Sequence, residues 1–286
     1  MTEQRPEVGT SRRPDLDLAV IVGAGGMGMA VARRLGQHHR LLIADRDADH
    51  LERLTAQLRI EGYDLSTCTC DVASADAVGA LASQAAGLGP VRTLAHVVGL
   101  SPSMGDFRTL MTVNWIGANL VEQAFQPILA PGGSAVFISS MAGHMRAFES
   151  LHALLDSPLE PGFLDAIEGA VGEPATSQLA YQLSKSSLNR MVQRKAASWG
   201  QRGLRINSLS PGLIATPMGA LEFERQPMKY DLLAATPITR EGTMVEIADG
   251  VEFLASSRAS FISGVDLLID GGVTAALRFR GAPAAS

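Results

Sequence analysis

Tyr181 and Lys185 stand four residues apart in the string YQLSK, inside a stretch whose pattern predicts a helix. That spacing sets a phenol beside an ammonium on one helix face. A phenol titrates at about pH 10, and a neighbouring cation favours the phenolate and lowers that value. The pair therefore has the makings of an acid/base catalyst. A second group with chemical potential is the run GAGGMG, Gly23 to Gly28, which contains G-x-G-x-x-G. Glycines in that pattern allow a tight turn and a close approach of backbone to a phosphate. A helix that starts there offers unpaired N–H groups and the positive end of its dipole.

Both groups need a frame, and the chain supplies one in short apolar runs alternating with longer helical patterns. The run LAVIV over 18–22 is continuous, as a strand buried on both faces requires. Further strands are predicted over 41–44, 66–69, 94–98, 135–139, 205–209 and 264–268. Helices are predicted over 27–35, 49–60, 75–86, 109–129, 178–199 and 245–255. Repeated β-α units of this kind imply an α/β fold, a Rossmann-like doubly wound parallel sheet of about seven strands with helices on both faces. Domain boundaries follow: a loose arm over 1–15, one domain over 16–280 with a helical insertion over 141–177, and a tail over 281–286.

In this frame the glycine run lies between the first strand and the first helix, where it reads as a dinucleotide site. Asp45, seventeen residues past Gly28, ends the second strand. A carboxylate there can bond both ribose hydroxyls and repels a 2′-phosphate, which favours NAD over NADP. Arg46 is the group beside it that could accept such a phosphate.

Composition narrows the partners. The chain of 286 residues is 46% hydrophobic and 19% charged, with a net charge of −5. That is an ordinary globular balance and argues against a nucleic-acid partner, which wants a basic surface. Arg12 and Arg13 precede an apolar run, but Asp15 and Asp17 interrupt it, so a twin-arginine export signal is rejected. No run of about 20 apolar residues lacks glycine or charge, so no membrane span is expected. The only cysteines, Cys68 and Cys70, have no further ligand nearby. They read as thiols on a buried strand in a reducing cytoplasm. His38, His39, His144 and His152 show no metal spacing, and His96 reads as a satisfied strand histidine, so no metal is expected.

With Gly23, Gly25, Gly26, Met27 and Gly28, then Asp45, then the YQLSK string in order, the chain resembles the short-chain dehydrogenase/reductase family from about Leu18 to Val273. Asp71 and Val72 look like the family's adenine-pocket pair, and Gly99 is what remains of its fourth-strand motif. Asn114 in VNWIG looks like the active-site asparagine. Ser140 is the second serine of ISSMAG, the catalytic one. Pro211, Gly212, Ile214 and Thr216 in SPGLIAT look like the nicotinamide-side loop, and FISG and DGG fit the last strand. Singly, Ser140 could cap a strand, Asn114 could be a polar residue inside a helix and Thr216 could be an N-cap. All in family order, they are expected to act together.

The resemblance implies a mechanism. Tyr181 exchanges a proton with the substrate oxygen, and Lys185 lowers its pKa and holds the nicotinamide ribose. Ser140 bonds the substrate oxygen, Asn114 holds a water that leads to Lys185, and Thr216 with the Ile214 backbone fixes the carboxamide.

Two departures matter. The glycine run lacks the main branch's threonine and is one residue shorter. The larger one is the insertion: Ser140 and Tyr181 are 41 residues apart, far more than in the main branch. That spacing resembles the bacterial 3α-hydroxysteroid dehydrogenase/carbonyl reductase branch. The resemblance thus implies hydride transfer between NAD(H) and a small lipophilic secondary alcohol or ketone, possibly a hydroxysteroid. A catalytically idle NAD(H) sensor is the alternative. Phe148, Leu151, Leu154, Leu155 and Phe163 could line the substrate or only pack the insertion's helices. A mobile cover is expected from Pro217 to Tyr230. The insertion leads into the helix that commonly pairs across subunits, so a homodimer is expected rather than a tetramer.

Overall fold

The computed structural model describes residues 15–172, 174–216, 219 and 228–279. The arm over 1–14, the tail over 280–286 and most of the segment over 217–227 lie outside the described residues. Seven strands, β1 (Leu18–Val22), β2 (Arg40–Asp45), β3 (Leu65–Thr69), β4 (Val91–His96), β5 (Leu129–Ile138), β6 (Arg205–Pro211) and β7 (Asp266–Ile269), form one sheet. Their order is β3-β2-β1-β4-β5-β6-β7, and every pairing is parallel. Parallel strands need crossovers, and the helices between them supply these.

Helices cover both faces. On one side lie α1 (Gly26–Leu35), α2 (Ala48–Ile60) and the helix Met244–Ala255. On the other lie α3 (Ala75–Leu88), α4 (Phe107–Leu110), α5 (Gly117–Phe125) and α8 (Ser177–Gly200). The side chains of β1 alternate between two cores: Ala19 and Ile21 face the first layer, and Leu18, Val20 and Val22 the second. Burial on both faces is why that strand reads as an unbroken apolar run. No helix among the described residues is long and apolar enough to cross a membrane.

Two elements differ from the sequence pattern. The helix predicted over 109–129 is broken: α4 passes into a π-helical turn, Met111–Ile116, and then into α5. Asn114 lies in that turn and ties both ends of its amide to Leu100, accepting from its N–H at 2.7 Å and donating to its carbonyl at 2.9 Å. π-turns of this sort gather at functional sites. β5 also starts earlier than predicted, at Leu129, which pairs with Val91 before the register shifts across Pro131–Gly133. Gly132, at φ +81°, takes the left-handed conformation there.

The sheet reverses direction of build between β1 and β4, and a crevice opens at their carboxyl ends.

Candidate active site

The crevice is a cleft of about 470 Å³ that runs from the glycine loop to Tyr181. At its floor, Gly23 has φ +105°, and a Cβ there would stand 2.8 Å from the Val98 nitrogen of the neighbouring strand end. A Cβ on Gly28 would lie 1.9 Å from the Gly23 carbonyl oxygen, so this glycine lets α1 approach the loop. Gly25, the N-cap of α1, is different: a Cβ there meets nothing within 4 Å. It faces open space, has no side-chain cap, and the first turn of α1 carries no acidic residue. The free N–H groups and the dipole are left for an anion.

Asp45 does what the missing threonine does not. Its Oδ2 accepts from the Ala24 N–H at 2.7 Å and its Oδ1 from the Asp47 N–H at 3.1 Å, so the carboxylate braces the short glycine loop from the end of β2. His50 adds a contact from α2 to the Ala24 carbonyl oxygen at 2.8 Å. Arg46, Asp71 and Val72 complete this end of the cleft.

At the other end, Tyr181 and Ser140 both line the cleft, and Ser140 is near enough to the phenol to favour its ionised form. α8 delivers Tyr181 and Lys185 on one face, and the end of β5 delivers Ser140. Lys185 is buried, and its Nζ donates to the Ile138 carbonyl at 2.9 Å. Burial pulls its pKa down from 10.5 to about 8. The tyrosine differs from expectation. Burial pushes its phenol up, and only Ser140 pulls it back. The ammonium is turned to the Ile138 carbonyl, 5.8 Å from the phenol ring centre, and does not lower the phenol's pKa.

Gly99 keeps its place for a steric reason: a Cβ there would be 3.2 Å from Lys185 Nζ. Pro211, Gly212, Ile214 and Thr216 line the cleft opposite, and Thr216 Oγ1 accepts from the Gly219 N–H at 2.8 Å, a short capping bond.

Every catalytic and cofactor-binding residue expected from the sequence lines this cleft except Asn114, which sits behind it and holds Leu100. Residues not foreseen include Val98, Ser101, Met104, Val113, Leu213 and Lys229. Ser101 and Met104 lie around a short turn after β4, in a region with no periodicity to read. His96 corrects a further expectation. It is fully buried and stacks on Phe137 with ring centres 5.3 Å apart, yet neither ring nitrogen has a hydrogen-bond partner among the described residues. Burial, with Lys185 nearby, drives its pKa down to about 3, so it stays neutral. No group of three potential metal ligands occurs among the described residues.

The insertion does not wall the cleft. Phe148, Leu155 and Phe163 are buried in the main core, with Leu151 and Leu154 packed against it. α6 (His152–Leu155) and α7 (Phe163–Val171) lie across α4 and α8. Trp115 donates to the Leu155 carbonyl at 3.2 Å, Arg108 pairs with Asp165 and Glu168, and Asp156 takes Arg190 and Arg194 of α8. The apolar residues are consumed by this docking. The cover expected over 217–230 falls largely outside the described residues; its end forms the helix Met228–Ala234, which brings Lys229 to the cleft.

A doubly wound sheet with a glycine-lined cleft at its switch point defines the class, a dinucleotide-binding fold. Residues 17–151 match the family model described as short chain dehydrogenase, and residues 164–274 the one described as enoyl-(acyl carrier protein) reductase. The chain is 34% identical to short-chain dehydrogenase/reductase bsc3 of Alternaria brassicicola, over 90% of this chain and 96% of that one. It is 36% identical to the 3-alpha-hydroxysteroid dehydrogenase/carbonyl reductase of Comamonas testosteroni, over 63% of this chain and 71% of that one. It is 28% identical to a galactitol 2-dehydrogenase (L-tagatose-forming) of Cereibacter sphaeroides, over 92% and 96%. The crystal structure of gox2181 superposes with a TM-score of 0.75 at 25% identity, covering 91% of this chain and 96% of that one. The chain belongs to the short-chain dehydrogenase/reductase family, oxidoreductases that use a nicotinamide cofactor. The relatives' names run from a hydroxysteroid to a sugar alcohol, so membership alone does not choose the substrate.

Proposed function

We propose that this protein transfers a hydride between NAD(H) and a small lipophilic secondary alcohol or ketone, with hydroxysteroids as the first class to try. The observation that carries the reading is the placing of Ser140, Tyr181 and the buried Lys185 together in the cleft that starts at the glycine loop. The cleft suits a dinucleotide. Gly25 leaves room where a side chain would intrude, and α1 presents uncapped N–H groups for a pyrophosphate. Asp45 would meet the adenosine ribose, Asp71 and Val72 the adenine, and Thr216 with the Ile214 backbone the carboxamide. When bound, the dinucleotide supplies or accepts the hydride.

The chain's own residues do the rest. Tyr181 gives its proton to the ketone oxygen, or takes it from the alcohol. Ser140 bonds the same oxygen and steadies charge that develops on it. The ammonium of Lys185, held on the Ile138 carbonyl, would hold the nicotinamide ribose. Asn114, by fixing Leu100, shapes the wall behind Lys185 and offers a route for water to it. Asp45 favours NAD, because a 2′-phosphate would meet its charge. An idle NAD(H) sensor finds no support in a site whose serine, tyrosine and lysine are all in place.

Met104, Val113 and Leu213, rather than the insertion, give the substrate end its apolar lining. The likeness to the Comamonas testosteroni enzyme supports the same substrate class. In the family the long helices that carry the counterparts of Asn114 and Tyr181 commonly pair across subunits, and an insertion docked over α4 and α8 favours a dimer over a tetramer. Free Cys68 and Cys70 fit a cytoplasmic setting.

The test is a panel of hydroxysteroids, cyclic alcohols and sugar alcohols assayed with NAD and with NADP. Turnover of lipophilic alcohols with NAD is expected. Turnover of sugar alcohols alone would overturn the substrate class, and a preference for NADP the cofactor choice.

A further inference from the structure

The turn that carries Ser140 is held at three places. At its start, Ser139 Oγ donates to the Lys185 carbonyl at 3.0 Å, and the Ser139 N–H donates to the Leu209 carbonyl at 2.8 Å. At its middle, Gly143 lies so close to α8 that a Cβ would stand 2.9 Å from the Lys185 carbonyl carbon. At its end stands His144, whose Nε2 is 2.7 Å from Asp266 Oδ2. Beyond His144 the chain turns outward at exposed Met145 and enters the insertion.

Asp266 is more than a surface partner. It belongs to the outermost strand, β7, yet its side chain is only 6% exposed. Its other oxygen accepts from Ser208 Oγ at 2.6 Å and Ser210 Oγ at 3.0 Å. With two hydroxyls donating to Oδ1, an ionised carboxylate can only accept at Oδ2, so the His144 proton sits on Nε2. Asn189, one turn after Lys185 on α8, comes within 3.3 Å of the same nitrogen. One imidazole thus meets β7 at Asp266, through that carboxylate Ser208 and Ser210 of β6, and α8 one turn past Lys185.

We propose that His144 is a positioning residue for the reaction: its bond to Asp266 anchors the far end of the Ser140 turn to β6 and β7, so that Ser140 keeps its alignment with Tyr181 independently of the insertion that follows. Without the anchor, the turn is joined directly to an insertion docked elsewhere, on α4 and α8. A displacement of about 1 Å at a reacting group lowers turnover by roughly a hundredfold. The effect falls on kcat, because the glycine loop and Asp45 are far from the turn.

The inference rests on Ser140 and Tyr181 acting as proposed above. The experiment compares His144→Ala, His144→Gln and Asp266→Asn with the wild type. It uses oxidation of the best alcohol from the panel, and NAD affinity by titration of intrinsic fluorescence. His144→Ala is expected to lose roughly 10- to 100-fold in kcat while its NAD dissociation constant stays within about twofold. His144→Gln, whose amide can donate to Asp266, restores most of the loss. Asp266→Asn, which still accepts from both serines but turns an amide toward the imidazole, is expected to lose kcat in the same way. The idea is overturned if His144→Ala keeps kcat within about twofold, or if kcat and NAD affinity fall together and glutamine restores neither. If the alanine variant does not fold, a folded Asp266→Asn with wild-type kcat overturns it as well. Should Tyr181→Phe leave turnover intact, the fault lies with the catalytic assignment; loss there with indifferent His144 variants condemns the anchor alone.

Discussion

Replacing Lys185 by methionine should make the protein more stable at neutral pH while removing its activity. Burial lowers the lysine's pKa from 10.5 to about 8. Keeping the charge inside therefore costs about 3 kcal/mol well below pH 8, at about 1.36 kcal/mol per pH unit. Methionine fills much of the same space without a charge. Against the gain stands the bond from Nζ to the Ile138 carbonyl, worth about 1 to 2 kcal/mol. The net expectation is a variant more stable by about 1 to 2 kcal/mol at pH 7. The sign with pH follows from linkage. Between about pH 8 and 10.5 the unfolded chain holds the lysine proton more tightly than the folded one, so wild-type stability rises with pH in that window. The charge penalty shrinks to about 1 kcal/mol at pH 9.5, and the advantage of the variant should fall by about 2 kcal/mol. Urea unfolding of both proteins at pH 7 and pH 9.5 measures this. A methionine variant that is less stable at pH 7, or an advantage that does not change with pH, would refute the reasoning.

Gly28→Ala places a Cβ where the Gly23 carbonyl oxygen lies only 1.9 Å away; NAD binding should be lost and the melting temperature should fall by several degrees, and a normal melting curve with tight NAD binding would contradict the packing argument. Asp45→Ser removes both the brace on Ala24 and the charge beside the ribose; NAD affinity should drop about tenfold and NADP affinity rise, read by titration of each cofactor. Asp156→Ala cuts the insertion's pairing with Arg190 and Arg194; it should cost about 1 to 2 kcal/mol in urea unfolding yet leave kcat/KM nearly unchanged, since the insertion's apolar residues face the core and not the cleft. The Arg190 bonds hold the Asp156 carboxyl below its usual range, so this contribution is present at neutral pH and disappears as pH falls through that lowered value.

How much of this was readable in the residues depends on what kind of signal each carries. Strands buried on both faces announce themselves as apolar runs, and β1 and its loop could be placed to the residue. The glycine loop was readable because Gly23 and Gly28 are sterically obligatory; the role of Asp45 as its brace was not, because a bond to a backbone N–H leaves no pattern. The break at Asn114 is hidden for the same reason: a π-turn changes hydrogen bonding and not periodicity. The insertion showed its apolar residues but not what they meet. Trp115, Arg108 and Arg190 decide that, and they lie on distant helices. His96 shows a limit of another kind, since burial was foreseeable and the lack of any partner was not. The Tyr181–Lys185 spacing gave the face they share; the direction of Nζ, toward Ile138, came from the end of β5.

The central claim is that Tyr181 carries the proton of the reaction beside Ser140 and Lys185. The most direct test is the rate of alcohol oxidation by Tyr181→Phe together with its NAD dissociation constant. The account predicts a loss of about 10²- to 10⁴-fold in kcat with NAD affinity changed by no more than a few-fold. A phenylalanine variant that turns over within tenfold of the wild type would contradict it.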